Sequence, residues 1–364
     1  MKQRQRARSG ILNDMVNRQT TDIALDTGSN ILVYLIHGIT GTPTEMHYVA
    51  RGLSRQGWDV YATTLPGHCT RLRDLMRTSE YDWRWHVQTQ LTFARERYPI
   101  VFVAGLSAGG LLALEVATAV AVDGVGVLSP TFTFDGWNTP WTHALLPFGV
   151  KVLPRQLQQL FFQRDKAPFG IKDETLQARI RAAYSPLSRI HKQLRDWWLR
   201  WTPRAARQTA SVPTAAATGY PLFPLKTFID VDRLITRVRN RLSKVTAPTV
   251  ILQAREDDLT SPRNAYLVYD EISSTEKDLI LLEDCYHVIT VDKQKKAVVQ
   301  HLIDFFNRYA VDSASRQPLV HPSVPVSPVH SLQEQLVTQA HLATNGHSPA
   351  AIINIMPDSE PEPA

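Results

Sequence analysis

The chain of 364 residues contains only two cysteines, Cys69 and Cys285. That excludes a disulfide framework and fits a reducing compartment. No cross-link is needed, since a chain this long buries roughly 75% of its unfolded surface on folding. No apolar run reaches the ~18 residues of a membrane span. The best candidate, residues 111–128, is interrupted by Glu115, Asp123 and two glycines. The basic start MKQRQRARSG is not followed by the apolar stretch of a signal peptide. There is no internal repeat, and no His, Cys or Asp cluster with metal-ligand spacing. The expectation is a soluble, cytoplasmic protein with no transmembrane segment, no metal, no cofactor and no nucleic-acid partner.

What is present is unevenly placed. The net charge is +6, yet residues 131–245 carry 19 Lys+Arg against 7 Asp+Glu. The same segment holds Trp137, Trp141, Trp197, Trp198 and Trp201. A basic, Trp-rich stretch suits an anionic or amphipathic partner, such as a membrane surface, or a solvated helical face with aromatics beneath it.

Along the chain, residues 1–24 read as a loose basic arm. Six short β-branched runs follow, at 31–37, 58–64, 100–105, 125–129, 248–254 and 278–283, each apolar on both faces. Helix candidates at 43–56, 81–97, 108–120, 262–272 and 293–309 separate them. The alternation predicts an α/β fold with a mostly parallel sheet covered by helices on both faces. Two segments, 25–130 and 246–311, make up this core. Residues 131–245 give no strand signal and read as a helical insertion, while the Pro-rich, acidic residues 312–364 read as a disordered tail with one possible helix at 331–343.

Gly105-Leu106-Ser107-Ala108-Gly109 follows an apolar strand and opens a helix-forming run. A serine in that strand–turn–helix setting is held exposed on a strained backbone, with the helix amides and positive dipole end beside it. Its hydroxyl is a weak nucleophile that needs a base, and the base needs an orienting acid. These should lie on loops after later strands in the order Ser, Asp, His. Arg255-Glu256-Asp257-Asp258 follows one such strand, and His287 is the histidine of the loop after the last. Spacing alone leaves Asp257 and Asp258 open. A tetrahedral intermediate also needs two amide donors. One is Ala108, and the other belongs to the loop His37-Gly38-Ile39-Thr40-Gly41, where Thr42 or Thr44 can cap the next helix.

The blocks HGITGTPTEM (37–46), LPGH (65–68), GLSAGG (105–110), QAREDDLTSP (253–262) and YHVITVD (286–292) together resemble the α/β-hydrolase superfamily, in its carboxylesterase and monoacylglycerol-lipase branch. The resemblance covers about residues 29–309, less the insertion. It implies Ser107 as nucleophile, Asp257 as acid and His287 as base, with the amides of Ile39 and Ala108 as oxyanion donors. It also implies that 131–245 forms a cap over an acyl pocket. Asp258 is then available to cap the helix near Pro262.

The function so implied is hydrolysis of small-molecule carboxylic esters, as a carboxylesterase or a monoacylglycerol- or lysophospholipid-type lipase, through an acyl-enzyme on Ser107. A thioesterase or acyltransferase would use the same residues on acyl groups linked to coenzyme A or a carrier protein, and the basic cap would suit such partners. A non-catalytic protein of the same fold would have no need of all three groups. A dehalogenase of this fold would carry an aspartate in place of Ser107.

Overall fold

Nine strands and eight α-helices occupy the residues that a computed structural model describes, 11–139, 162–184 and 219–310. The chain divides after Leu319, and all described residues lie before that point. The strands are β1 (Ile23–Leu25), β2 (Ile31–Ile36), β3 (Asp59–Thr63), β4 (Ile100–Leu106), β5 (Gly124–Leu128), β6 (Phe162–Arg164), β7 (Leu222–Pro224), β8 (Thr249–Ala254) and β9 (Lys277–Leu282). The helices are α1 (His47–Ser54), α2 (Leu72–Arg77), α3 (Glu80–Arg95), α4 (Ala108–Ala117), α5 (Glu174–Ala183), α6 (Leu225–Arg239), α7 (Arg263–Glu271) and α8 (Lys295–Asn307).

All six expected strands form one seven-stranded sheet in the order β1-β3-β2-β4-β5-β8-β9. Every pairing is parallel except that of β1 with β3. Side chains alternate across each strand, so the sheet feeds two cores. Leu32, Tyr34 and Ile36 of β2 pack with Trp83 and Leu91 of α3 and with Leu111 of α4. Ile31, Val33 and Leu35 pack on the other face with Val49 and Leu53 of α1 and with Leu302 and Phe306 of α8. Burial on both faces is why β2, β4 and β5 carry no charged or amide side chain, while β3 and β8 bury Asp59, Thr63, Thr249 and Gln253 among apolar residues. The edge strand β9 is only half-buried along most of its length.

Four features depart from the sequence reading. The expected arm is packed where it is described, because Leu12 and Met15 are buried in the first core and Ile23–Leu25 adds the antiparallel edge strand. The insertion contains strands after all. β6 and β7 pair antiparallel, but at three residues each they are too short to leave a periodic signal. The helix expected over 43–56 is split into a 3₁₀ turn, Pro43–Met46, capped by Thr42, and α1. Finally α6, within the basic segment, packs into the first core through Val231, Leu234 and Val238.

Ion pairs take up part of the basic segment's charge. Arg237 and Arg241 reach Glu115 of α4 at 2.6 and 3.3 Å. Lys226 and Arg233 flank Asp230. Trp141, Trp197, Trp198, Trp201 and the tail 312–364 lie outside the described residues. No helix among the described residues is long and apolar enough to cross a membrane.

Candidate active site

The strand order creates the site. β2 lies between β3 and β4, so the chain leaves β2 toward one sheet edge and β4 toward the other. The helix after β2 covers one face and the helix after β4 the opposite face. Loops at the carboxyl ends of such strands diverge and open a crevice, the usual ligand position in parallel sheets. The loop 37–41 and Ser107 meet in that crevice, with Gly38 so placed that a Cβ on it would stand 3.6 Å from the Ser107 Cβ.

Ser107 sits between β4 and α4 with φ +56° and ψ −121°. This is a left-handed conformation that a non-glycine residue adopts only under constraint. Its amide donates to Leu128 O at 2.8 Å, fixing the turn to β5. The flanking glycines are required by close packing. A Cβ on Gly105 would overlap the Gly109 carbonyl, and one on Gly109 would stand 2.5 Å from Ile36 O. The amide of Ala108 opens α4, where no preceding carbonyl is available to it.

The acidic loop follows β8. Asp257 Oδ1 accepts the amides of Leu259 and Thr260, both at 2.8 Å. Its Oδ2 accepts Gln253 Nε2 at 2.7 Å and His287 Nδ1–H at 2.9 Å. An acceptor-only carboxylate places the imidazole proton on Nδ1 and leaves Nε2 as a base. Burial alone would lower the His287 pKa, but the charge of Asp257, its hydrogen bond and Asp258 outweigh it, and the net shift is upward. His287 Nε2 is buried with no hydrogen-bond partner among the described residues.

Asp258 behaves differently from Asp257. Its carboxylate accepts the amides of Gly170 and His287 at 3.2 and 3.4 Å, and burial raises its pKa. The helix cap suggested for it is not formed. Asp135 instead accepts the Ser261 amide and hydroxyl just before α7.

The structure thus brings Asp257 and His287 together and leaves Ser107 directed elsewhere. Ser107 Oγ is 2.9 Å from Thr131 Oγ1, on the loop after β5. The sequence reading missed Thr131. Its only signal was its place just beyond a core strand.

The turn 38–41 is held from several sides. Gly41 N–H donates to Gly38 O, and Thr40 O accepts the Tyr220 amide. His37 donates from Nδ1 to Gly38 O and accepts Leu65 N–H at Nε2. His68 accepts the Thr40 amide at Nε2 and donates from Nδ1 to Pro66 O. Both rings must be neutral to accept these bonds. Burial enforces this by lowering His37 well below its usual value and His68 to about 4. Gly38 N–H donates to Glu45. The Ile39 amide is the one in this turn with no partner among the described residues.

Part of the insertion rests on the two later loops. Val288 N–H donates to Gly170 O at 2.7 Å, and Asp292 accepts the amides of Lys172 and Asp173. Lys172 Nζ lies 2.7 Å from Glu256 and 3.1 Å from Asp284. No group of three His, Cys, Asp or Glu side chains among the described residues could hold a metal.

Residues 29–294 match the family described as serine aminopeptidase, S33, a match over more than half of the chain. The chain belongs to this family. A thermostable monoacylglycerol lipase from Bacillus sp. (strain H-257) is 26% identical over 76% of this chain and 91% of its own. A carboxylesterase from Bacillus subtilis (strain 168) is 23% identical over 77% and 94%. The solved structure of a metagenome-derived lipolytic enzyme, 23% identical, superposes with a TM-score of 0.59 over 80% of this chain and 100% of that one. The chain has the α/β-hydrolase fold, a mostly parallel sheet between two layers of helices.

Proposed function

We propose that the protein is a serine hydrolase of carboxylic esters, acting on small acyl esters of the monoacylglycerol or simple alkyl type. The observation that carries this reading is the Asp257–His287 pair at 2.9 Å, whose Nε2 is buried with no partner among the described residues, together with a serine held at φ +56° between β4 and α4. The names of the two Bacillus relatives point the same way.

In this reading Ser107 attacks the ester carbonyl while His287 Nε2 takes its proton. Asp257 keeps the imidazole in the Nδ1–H tautomer and stabilises the imidazolium. The intermediate's negative oxygen rests on the amides of Ile39 and Ala108. His287 returns the proton to the leaving alcohol, and water then releases the acid by the same steps. Residues 131–245 lie between β5 and β8 in the chain, and we assign them as the cap over the acyl pocket, with α6 anchored in the core. Residues 25–130 and 246–311 are the core, and 312–364 a tail not needed for turnover.

An anionic or membrane-facing partner of the basic segment would meet a positive charge reduced by the core carboxylates that engage Lys172, Arg237 and Arg241. The free thiols Cys69 and Cys285 fit a reducing compartment such as the cytoplasm.

The test is turnover of p-nitrophenyl esters, monoacylglycerols and acyl-thioesters, with fluorophosphonate labelling. Ser107→Ala should abolish labelling and lower kcat about 10³-fold or more without unfolding the chain. Retention of a tenth of the wild-type rate would overturn the assignment, and preference for the thioester would move it to the acyl-transfer class.

A further inference from the structure

One carboxyl beside the site has no part in the mechanism above. Glu45 stands on the 3₁₀ turn Pro43–Met46, whose start is fixed by Thr42 accepting the Thr44 amide. Its side chain turns back into the loop 38–41. Oε2 accepts Gly38 N–H at 3.3 Å, and the carboxyl lies against Gly41, so that a Cβ added there would force the Glu45 carboxyl to move. Glu45 therefore fills the inside of the turn that presents the Ile39 amide. On the outside, His68 and Tyr220 hold Thr40. A donor that must meet a developing oxyanion within a few tenths of an ångström needs such support on both sides.

We propose that Glu45 is a positioning residue for the reaction: as a neutral carboxylic acid it sets the 38–41 turn so that the Ile39 amide faces the carbonyl attacked by Ser107. The proposal rests on the ester-hydrolase reading and assigns it a further residue.

Neutrality matters because a carboxylate behind the turn would oppose the negative charge that the oxyanion site has to stabilise. The surroundings favour the neutral form. Burial pushes the Glu45 pKa up to about 8, with Asp165 adding to the rise, while the Gly38 hydrogen bond and His287 oppose it. The other titratable groups facing it are Tyr184 and Cys69, neither of which is charged at neutral pH because burial raises both. Asp165, raised by burial to about 7, is the one neighbour that titrates in the same range.

The sign follows directly. Below about pH 8 Glu45 is protonated and the turn is competent. As pH rises through that value the carboxylate forms and kcat falls. His287 supplies the opposite limb, because the base works only when deprotonated.

The test uses the full chain and a short-acyl p-nitrophenyl ester, with the uncatalysed rate subtracted between pH 6 and 10. Glu45→Gln keeps the acceptor for Gly38 but cannot ionise. It should retain kcat within about 3-fold at pH 7 and lose the decline above pH 8. Glu45→Ala, which empties the turn, should lower kcat about 10-fold or more at every pH while KM changes little. Asp165→Asn should keep the decline. If Glu45→Gln declines as the wild type does, or Glu45→Ala turns over at the wild-type rate, the positioning role is overturned. Should Glu45→Ala fail to fold, the pH profile of Glu45→Gln decides alone. A wild-type protein without Ser107-dependent turnover would instead overturn the ester-hydrolase reading, and the role of Glu45 with it.

Discussion

Ser107 Oγ is hydrogen-bonded to Thr131 Oγ1 at 2.9 Å, while the Nε2 of His287 stands buried without a partner among the described residues. The serine is thus held by a threonine on the loop after β5. Catalytic hydrogen bonds often tighten only once substrate is bound, and here the serine must first give up Thr131.

Replacing that threonine should make the serine more available. A net hydrogen bond is worth about 0.5–1.5 kcal/mol, so Thr131→Val should raise the fluorophosphonate labelling rate about 2- to 10-fold. Stopped-flow labelling of the two proteins at one pH measures it. A slower variant would mean that Thr131 assists the attack.

The two neighbouring aspartates should separate clearly. Asp257→Asn removes the acceptor that fixes the imidazole tautomer and should cost about 10³- to 10⁴-fold in kcat. It also removes the two largest contributions that raise the His287 pKa, so the acid limb of kcat/KM should move to lower pH. Asp258→Asn touches only the Gly170 and His287 amides and should cost less than 10-fold. Equal losses would transfer the acid role or divide it.

The raised His287 pKa has a stability counterpart. Its contribution is fully present below the unfolded value near 6.5 and fades as pH rises through the higher folded value. Thermal melts between pH 5 and 9 should therefore show a component that Asp257→Asn removes. An unchanged pH dependence in that variant would dissociate the pair from stability.

Gly170 has φ +71°, and a Cβ there would stand 2.8 Å from Val288 Cγ2 and 3.2 Å from His287 Cβ. Gly170→Ala should cost about 1–2 kcal/mol through backbone strain and push on the base. The expected result is a kcat at least several-fold lower with the melting temperature down by a few degrees. Full activity would show that the loop shifts without moving the imidazole.

Much of this was legible in advance because it depends on local pattern. The buried strands announce themselves by apolar runs, and the Gly105–Gly109 motif by the strand before it and the helix after it. His287 follows from its place after β9 and the acidic loop from its place after β8, while the choice of Asp257 over Asp258 comes from the family resemblance. What stayed hidden depends on contacts between distant segments. β6 and β7 pair across some sixty residues of sequence with three residues each. Thr131, Gly170 and Glu45 look ordinary in the sequence, and only packing shows what they touch. Asp258 reads as a surface cap until the fold brings the Gly170 amide to it.

The docking of residues 165–173 onto the loops of Asp257 and His287 bears on how the enzyme can be taken apart. A core rebuilt without the insertion would retain its seven-stranded sheet and the Ser107 turn but would lose α6, which packs into the first core. The loop carrying the base would then lack the Gly170 carbonyl that accepts Val288 N–H and the Lys172 bridge to Glu256 and Asp284. The insertion is therefore no detachable module, and grafting a foreign cap to alter selectivity would succeed only if the graft reproduced that short stretch of backbone against His287.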